Sequence, residues 1–149
     1  MAHFLCEPDP AQQGWHRYEL GEPGQYNRAV LGDLIIRAEG SYHCRTRLHP
    51  MATHHNSAGN IHGGIILGLI DESLFAAIYL LRGIPVTDAV TLDVQAQFIG
   101  IGDASRPLDS VAELLRETRR LVFLRGLVVQ DDDLVASFTA TVRKASQPR

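Results

Sequence analysis

Cysteine occurs only twice in this sequence and lysine once. Cys6 and Cys44 show no repeated spacing and no CxxC, so neither a disulfide framework nor a cysteine-ligated metal is expected, and a reducing cytoplasm fits. Basic charge is scarce too. Fourteen Lys and Arg against 17 Asp and Glu give a net charge of -3, without the general electrostatic footprint of a nucleic-acid or anionic-membrane binder. Low-complexity tracts are missing, as are a GxSxG elbow and the GxxxxGK[ST] and GxGxxG phosphate loops, which disfavours the usual serine hydrolases and nucleotide enzymes. MAHFLCEPDPAQQG has no basic stretch followed by an apolar one, so no secretory signal is expected. The longest apolar run, residues 61–81, holds Asp71 and Glu72 near its centre, where carboxylates are costly in a bilayer, so a membrane span is not expected either.

What is present is an ordinary globular composition, 45% hydrophobic and 21% charged over 149 residues, enough for one domain with a real core. Residues 1–27 are rich in Gly, Pro and polar groups and read as an irregular arm or short helix, leaving 28–149 as the domain proper. In SYHCRTRL, Tyr42, Cys44, Thr46 and Leu48 alternate with polar neighbours, predicting a half-buried strand over 41–48. A turn-rich loop, His49 to Asn60, leads into a long helix from about Gly63 to Leu81, closed by Gly83 and Pro85. The period then changes to two. TLDVQAQFI places Leu92, Val94, Ala96 and Phe98 on one face; SVAELLRETRR and LVFLRGLVV read as two more strands; LVASFTATVR places Leu134, Ala136, Phe138, Ala140 and Val142 together.

One apolar helix followed by consecutive strands predicts an α+β fold, a long central helix wrapped by a curled antiparallel sheet of five or six strands. Such a sheet has two edges, and edge pairing with a second copy is expected.

Chemistry concentrates at the start of the helix. His62-Gly63-Gly64 sits where backbone N–H groups lack partners and the helix dipole is positive, and glycine allows close approach, so the N–H of Gly63 or Gly64 suits a developing oxyanion. Asp71, seven residues after Gly64, lies on nearly the same side, and a carboxylate in so apolar a helix suits a general base or nucleophile facing a cleft. Glu72, about a hundred degrees round, is expected to face solvent or an interface. Asn56 carries an amide that can donate to a carbonyl, or can simply form a turn. His54 and His55 read as loop surface, and no carboxylate or cysteine spacing completes a metal site with His62.

Asn56-x5-His62-Gly63-Gly64-x6-Asp71, followed about twenty residues later by TLDVQAQFIG, resembles the hotdog-fold acyl-CoA thioesterases, specifically the phenylacetate-pathway (PaaI-like) branch, over about residues 30–143. The resemblance implies two subunits sharing one continuous sheet, two active sites at their interface, and often a dimer of dimers. It implies that Asp71 of one subunit acts on the thioester while Gly63 or Gly64 and Asn56 of the other polarise its carbonyl, with His62 shaping the site. It also places Thr91 where relatives keep a Ser or Thr that orients water, and Thr91 does fall on the polar face of its strand. The expected activity is hydrolysis of an acyl-CoA without a cofactor, with Arg119, Arg120 and Arg106, or Arg45 and Arg47, as candidates for the CoA phosphates. The alternatives are a non-catalytic acyl-CoA sensor and a hotdog dehydratase acting on hydroxyacyl thioesters.

Overall fold

The computed structural model describes residues 3–146. The apolar run forms one helix, α1 (Gly63–Arg82), ending one residue beyond the expected Leu81. By length and composition α1 could cross a bilayer, but it is the core helix here, with Leu69, Ile70, Leu74 and Ile78 fully covered. It stops because Gly83 takes a left-handed conformation (φ 64°); its N–H donates to the Tyr79 carbonyl at 2.7 Å and that of Ile84 to Ile78 at 3.3 Å. A Cβ at Gly83 would meet nothing within 4 Å, so Gly83→Ala carries only the backbone cost, about 1 kcal/mol. Thermal denaturation is expected to show a loss of roughly 2–4 °C in Tm.

Around α1 runs one eight-stranded antiparallel sheet: β1 (Phe4–Pro8), β2 (His16–Leu20), β3 (Leu34–Glu39), β4 (His43–Leu48), β5 (Val90–Phe98), β6 (Leu108–Glu117), β7 (Leu121–Gln130) and β8 (Asp133–Arg143). Their order is β1-β2-β3-β4-β6-β7-β8-β5. The first strand after the helix therefore lies at one edge. This is the expected α+β hotdog, with more strands than the expected five or six.

The main difference is at the N-terminus. The arm expected over 1–27 contains the β1–β2 hairpin, paired from Phe4 opposite Leu20 to Pro8 opposite His16, and β2 continues the sheet onto β3. Two five-residue strands separated by a Pro- and Gly-containing loop are too short to display a period. Aromatic packing holds them. Tyr18 is buried, and Phe4 meets the rings of Tyr18 and Tyr79 edge to face at 5.9 and 4.6 Å.

Three faces also differ in detail. Tyr42 precedes β4 and is exposed, with the Arg82 guanidinium 5.2 Å above its ring. In β8 the register shifts opposite Val128 and Val129, so Leu134 leaves the core face and Val135 is buried beside Ala136. In β5 an irregularity between Thr91 and Asp93 and the edge position leave Leu92 and Phe98 about half exposed, while Val94 and Ala96 are half-buried.

Candidate active site

The first half of α1 is open on one side. At 100° per residue, Gly63, Leu67, Asp71, Gly64 and Gly68 fall on one arc of about 140°. Leu67, Asp71 and Gly64 are exposed and Gly63 and Gly68 half-buried, whereas Ile65, Ile66, Leu69, Ile70, Glu72 and Ser73 are buried. Edge strand β5 runs back along this strip. At its start the Thr91 hydroxyl donates to Asp71 Oδ1 at 2.7 Å, and at its end the Phe98 ring lies 3.4 Å from where a Cβ on Gly63 would be. The structure thus brings Asp71 and Thr91 together.

At the N-terminus of α1, His62 is the extended capping residue, and its Nδ1 accepts the Gly64 N–H at 2.8 Å. That N–H is therefore already engaged. The Gly63 N–H has no partner among the described residues, which makes it the donor free to meet a ligand. Asn56 both forms a turn and presents an amide. Its Oδ1 accepts from the N–H groups of Ala58 (2.9 Å) and Asn60 (3.0 Å), and its Nδ2 is without a partner among the described residues.

This loop is anchored by a residue expected on its surface. His54 is fully buried; its Nε2 donates to the Val30 carbonyl at 2.6 Å and its Nδ1 accepts from the Met51 N–H at 3.0 Å. The His54 carbonyl then accepts from the His62 N–H at 2.8 Å, tying the loop to the helix start. The role is positional, and nothing in the sequence distinguishes His54 from its neighbour His55. His55 is exposed, and no group of three or more metal-ligating side chains occurs among the described residues.

The two adjacent acids lie in opposite environments. Asp71 is exposed in the single chain, whereas Glu72, expected at solvent or an interface, is 2% exposed. Burial pushes the Glu72 carboxyl up to about 8, the Tyr18 hydroxyl acting in the opposite sense and the Asp71 charge reinforcing the rise. Neither Glu72 Oε1 nor the buried Tyr18 hydroxyl has a hydrogen-bond partner within bonding distance among the described residues.

The candidate phosphate ligands separate into two groups. Arg119 and Arg120 are exposed in the β6–β7 turn and line a cleft of about 920 Å³ beyond the C-terminus of α1. Arg143 and Lys144 line it as well, together with Asp88 and Glu117, and Glu117 accepts from the Lys144 ammonium. The sequence reading missed both cations, because only the closing of β8 between β5 and β7 brings them there: Arg143 stands opposite Val90 on one side and Leu121 on the other. Arg106 lies at the other end of the ten-residue β6, roughly 30 Å away along the strand. Its guanidinium is engaged by Asp103, Asp131 and Asp133. Arg45 and Arg47 are engaged too, both donating to the buried Asp109, and Arg45 also to Glu39. These three are structural ion pairs in this chain.

Residues 52–143, more than half of the sequence, match the family model of the acyl-CoA thioesterase N-terminal domain. The chain belongs to the acyl-CoA thioesterase family. Solved structures place this thioesterase-family chain among hotdog proteins of the PaaI-like kind. It is 28% identical to a phenylacetic acid degradation protein PaaI from Thermus thermophilus in its N33D mutant form, covering 80% of this chain and 99% of that one (TM-score 0.65). It is 26% identical to the conserved protein PA5202 from Pseudomonas aeruginosa, covering 80% and 94% (TM-score 0.68). A hypothetical thioesterase from Streptococcus pneumoniae, solved with coenzyme A, shares the fold at 21% identity, covering 76% and 90% (TM-score 0.65). No curated protein matches the sequence significantly.

Proposed function

We propose that the protein hydrolyses acyl-CoA thioesters, with Asp71 as general base or nucleophile, at a site completed by a second copy of the chain. The observation that carries this reading is the Thr91–Asp71 hydrogen bond on the one open strip of an otherwise buried helix. In that arrangement the Thr91 hydroxyl holds one carboxylate oxygen, leaving the other free to take a proton from water or to attack the thioester carbon.

Two copies are needed on geometric grounds. Gly63 precedes Asp71 by eight residues, about 12 Å along the axis, too far for both to act on one carbonyl. Two helices meeting antiparallel along their open strips would bring Asp71 of one to Gly63 of the other. Edge strand β5 supports such pairing, since Val90, Leu92 and Phe98 along it, and Ile99 and Ile101 just beyond, are exposed apolar residues. In the shared site the Gly63 N–H and the Asn56 amide of one subunit would receive the developing oxyanion, with His62 shaping the helix entry and Gly64 kept within its cap. Pairing of two such dimers into a homotetramer, and a cytoplasmic location in keeping with two free cysteines, belong to the same reading.

Arg119 and Arg120, with Arg143 beside them, would meet the CoA phosphates. Arg106 is left out of that set. Thiol release from a panel of short, medium, long and aromatic acyl-CoAs tests the proposal; tight acyl-CoA binding with no thiol released would favour a sensor instead. Within the panel, Asn56→Ala is expected to lower kcat by about 10²-fold with little change in KM, as loss of an oxyanion donor does. An Asn56→Ala enzyme with full kcat would remove Asn56 from the site.

A further inference from the structure

We infer that Tyr26 is the wall that ends the acyl pocket and restricts the enzyme to short or compact acyl groups; this rests on the thioesterase reading above. A glycine in mid-helix costs about 1 kcal/mol relative to alanine, so Gly68, in the second turn of α1, calls for a reason. Tyr26 supplies it. A Cβ at position 68 would lie 2.5 Å from the Tyr26 hydroxyl oxygen, 3.1 Å from its Cε1 and 3.2 Å from Leu31 Cδ2. The missing side chain leaves the space in which the tyrosine ring rests on the helix.

Tyr26 stands at the entrance of a single π-helical turn, Asn27–Leu31, that is well fixed: Leu31 is 1% exposed, and Asn27 Nδ2 donates to the Leu20 carbonyl at 3.2 Å. The ring itself remains half exposed, at 50%. It therefore stands on the open strip as a firmly based aromatic with a free face. Leu67, also exposed, borders the same strip.

The polarity of the site assigns this wall to the acyl end. The cationic cleft lies past Gly83, twelve residues C-terminal to Asp71 and about 18 Å along the helix, a span suited to an extended pantetheine arm. Gly68 lies on the other side of Asp71, one turn toward the N-terminus, about 5 Å away. With phosphates at the cleft and the carbonyl at Asp71, the acyl group extends toward Tyr26, whose ring rests on Gly68 about one helical turn from Asp71.

The experiment measures dissociation constants of acetyl-, butyryl-, decanoyl- and phenylacetyl-CoA in the slow Asp71→Asn background, with and without Tyr26→Ala, alongside thiol release by the native chain. Removing the ring is expected to raise the affinity for decanoyl-CoA relative to acetyl-CoA at least tenfold. Tyr26→Phe, which keeps the wall, is expected to hold that ratio within about twofold of its value with tyrosine. An unchanged ratio in a Tyr26→Ala protein with native circular dichroism overturns the inference, and so does a Tyr26→Phe protein that behaves like the alanine variant. Failure of the native chain to release thiol from any of the four would count against the thioesterase reading alone, because the affinity ratio is still read by binding.

Discussion

Asp71→Asn is expected to lower kcat/KM for an acyl-CoA thioester by about 10²–10⁴, the usual consequence of removing a positioned base, while leaving the fold and the oligomer intact. The variant keeps the size of the side chain and can still accept from Thr91, so the 2.7 Å contact need not be lost. What disappears is the basic oxygen. Because Asp71 is exposed in the single chain, its replacement removes no buried charge, and thermal stability is expected to stay within about 0.5 kcal/mol of the native value. Thiol-release kinetics together with a melting curve check both halves. A folded Asp71→Asn enzyme with native turnover would exclude Asp71 as the reacting group and, with it, the proposed mechanism.

Raising the pH is expected to destabilise the protein through Glu72, and Glu72→Gln to remove that dependence. The Glu72 carboxyl is held at about 8 in the folded chain by burial, against its ordinary 4.5. Between those values the folded state keeps a proton that the unfolded chain has released. The stabilisation linked to that proton is therefore fully present below about pH 4.5 and declines as the pH rises to about 8. At about 1.4 kcal/mol per unit of pKa difference, the stabilisation at stake is roughly 5 kcal/mol. Urea unfolding at pH 5, 7 and 9 reads this directly. The glutamine variant should show a flatter profile and exceed the native chain in stability at pH 9; parallel profiles for the two proteins would mean that Glu72 does not hold its proton in the folded state.

These two acids also show where the sequence stops being informative. Helical phase separates Asp71 and Glu72 by a hundred degrees, but it does not say which direction will be covered. An acid in an apolar helix suggests a desolvated base, and by spacing from the glycines that reasoning points to Asp71. The burial falls on Glu72, because the N-terminal hairpin lays Tyr18 near it, and five-residue strands give no periodic signal from which such a cover could be foreseen. The phosphate candidates divide for a similar reason. Arg45, Arg47 and Arg106 look as available in the sequence as Arg119 and Arg120, yet Asp109 and the trio Asp103, Asp131 and Asp133 reach them only across strands and turns.

Residue pattern alone specifies the helix, the period-two strands after it, the α+β class and the spacing that sets Asp71 on the same side as the glycines. Those properties are local: they follow from side-chain periodicity, from capping by His62 and Gly83, and from chain geometry over one or two turns. Tertiary structure makes Thr91 meet Asp71, buries His54 as an anchor, and brings Arg143 beside Arg119 and Arg120. Each of these depends on which strand becomes the neighbour of which, and that choice is made by burial of the whole sheet around one helix, a quantity no short stretch of sequence contains.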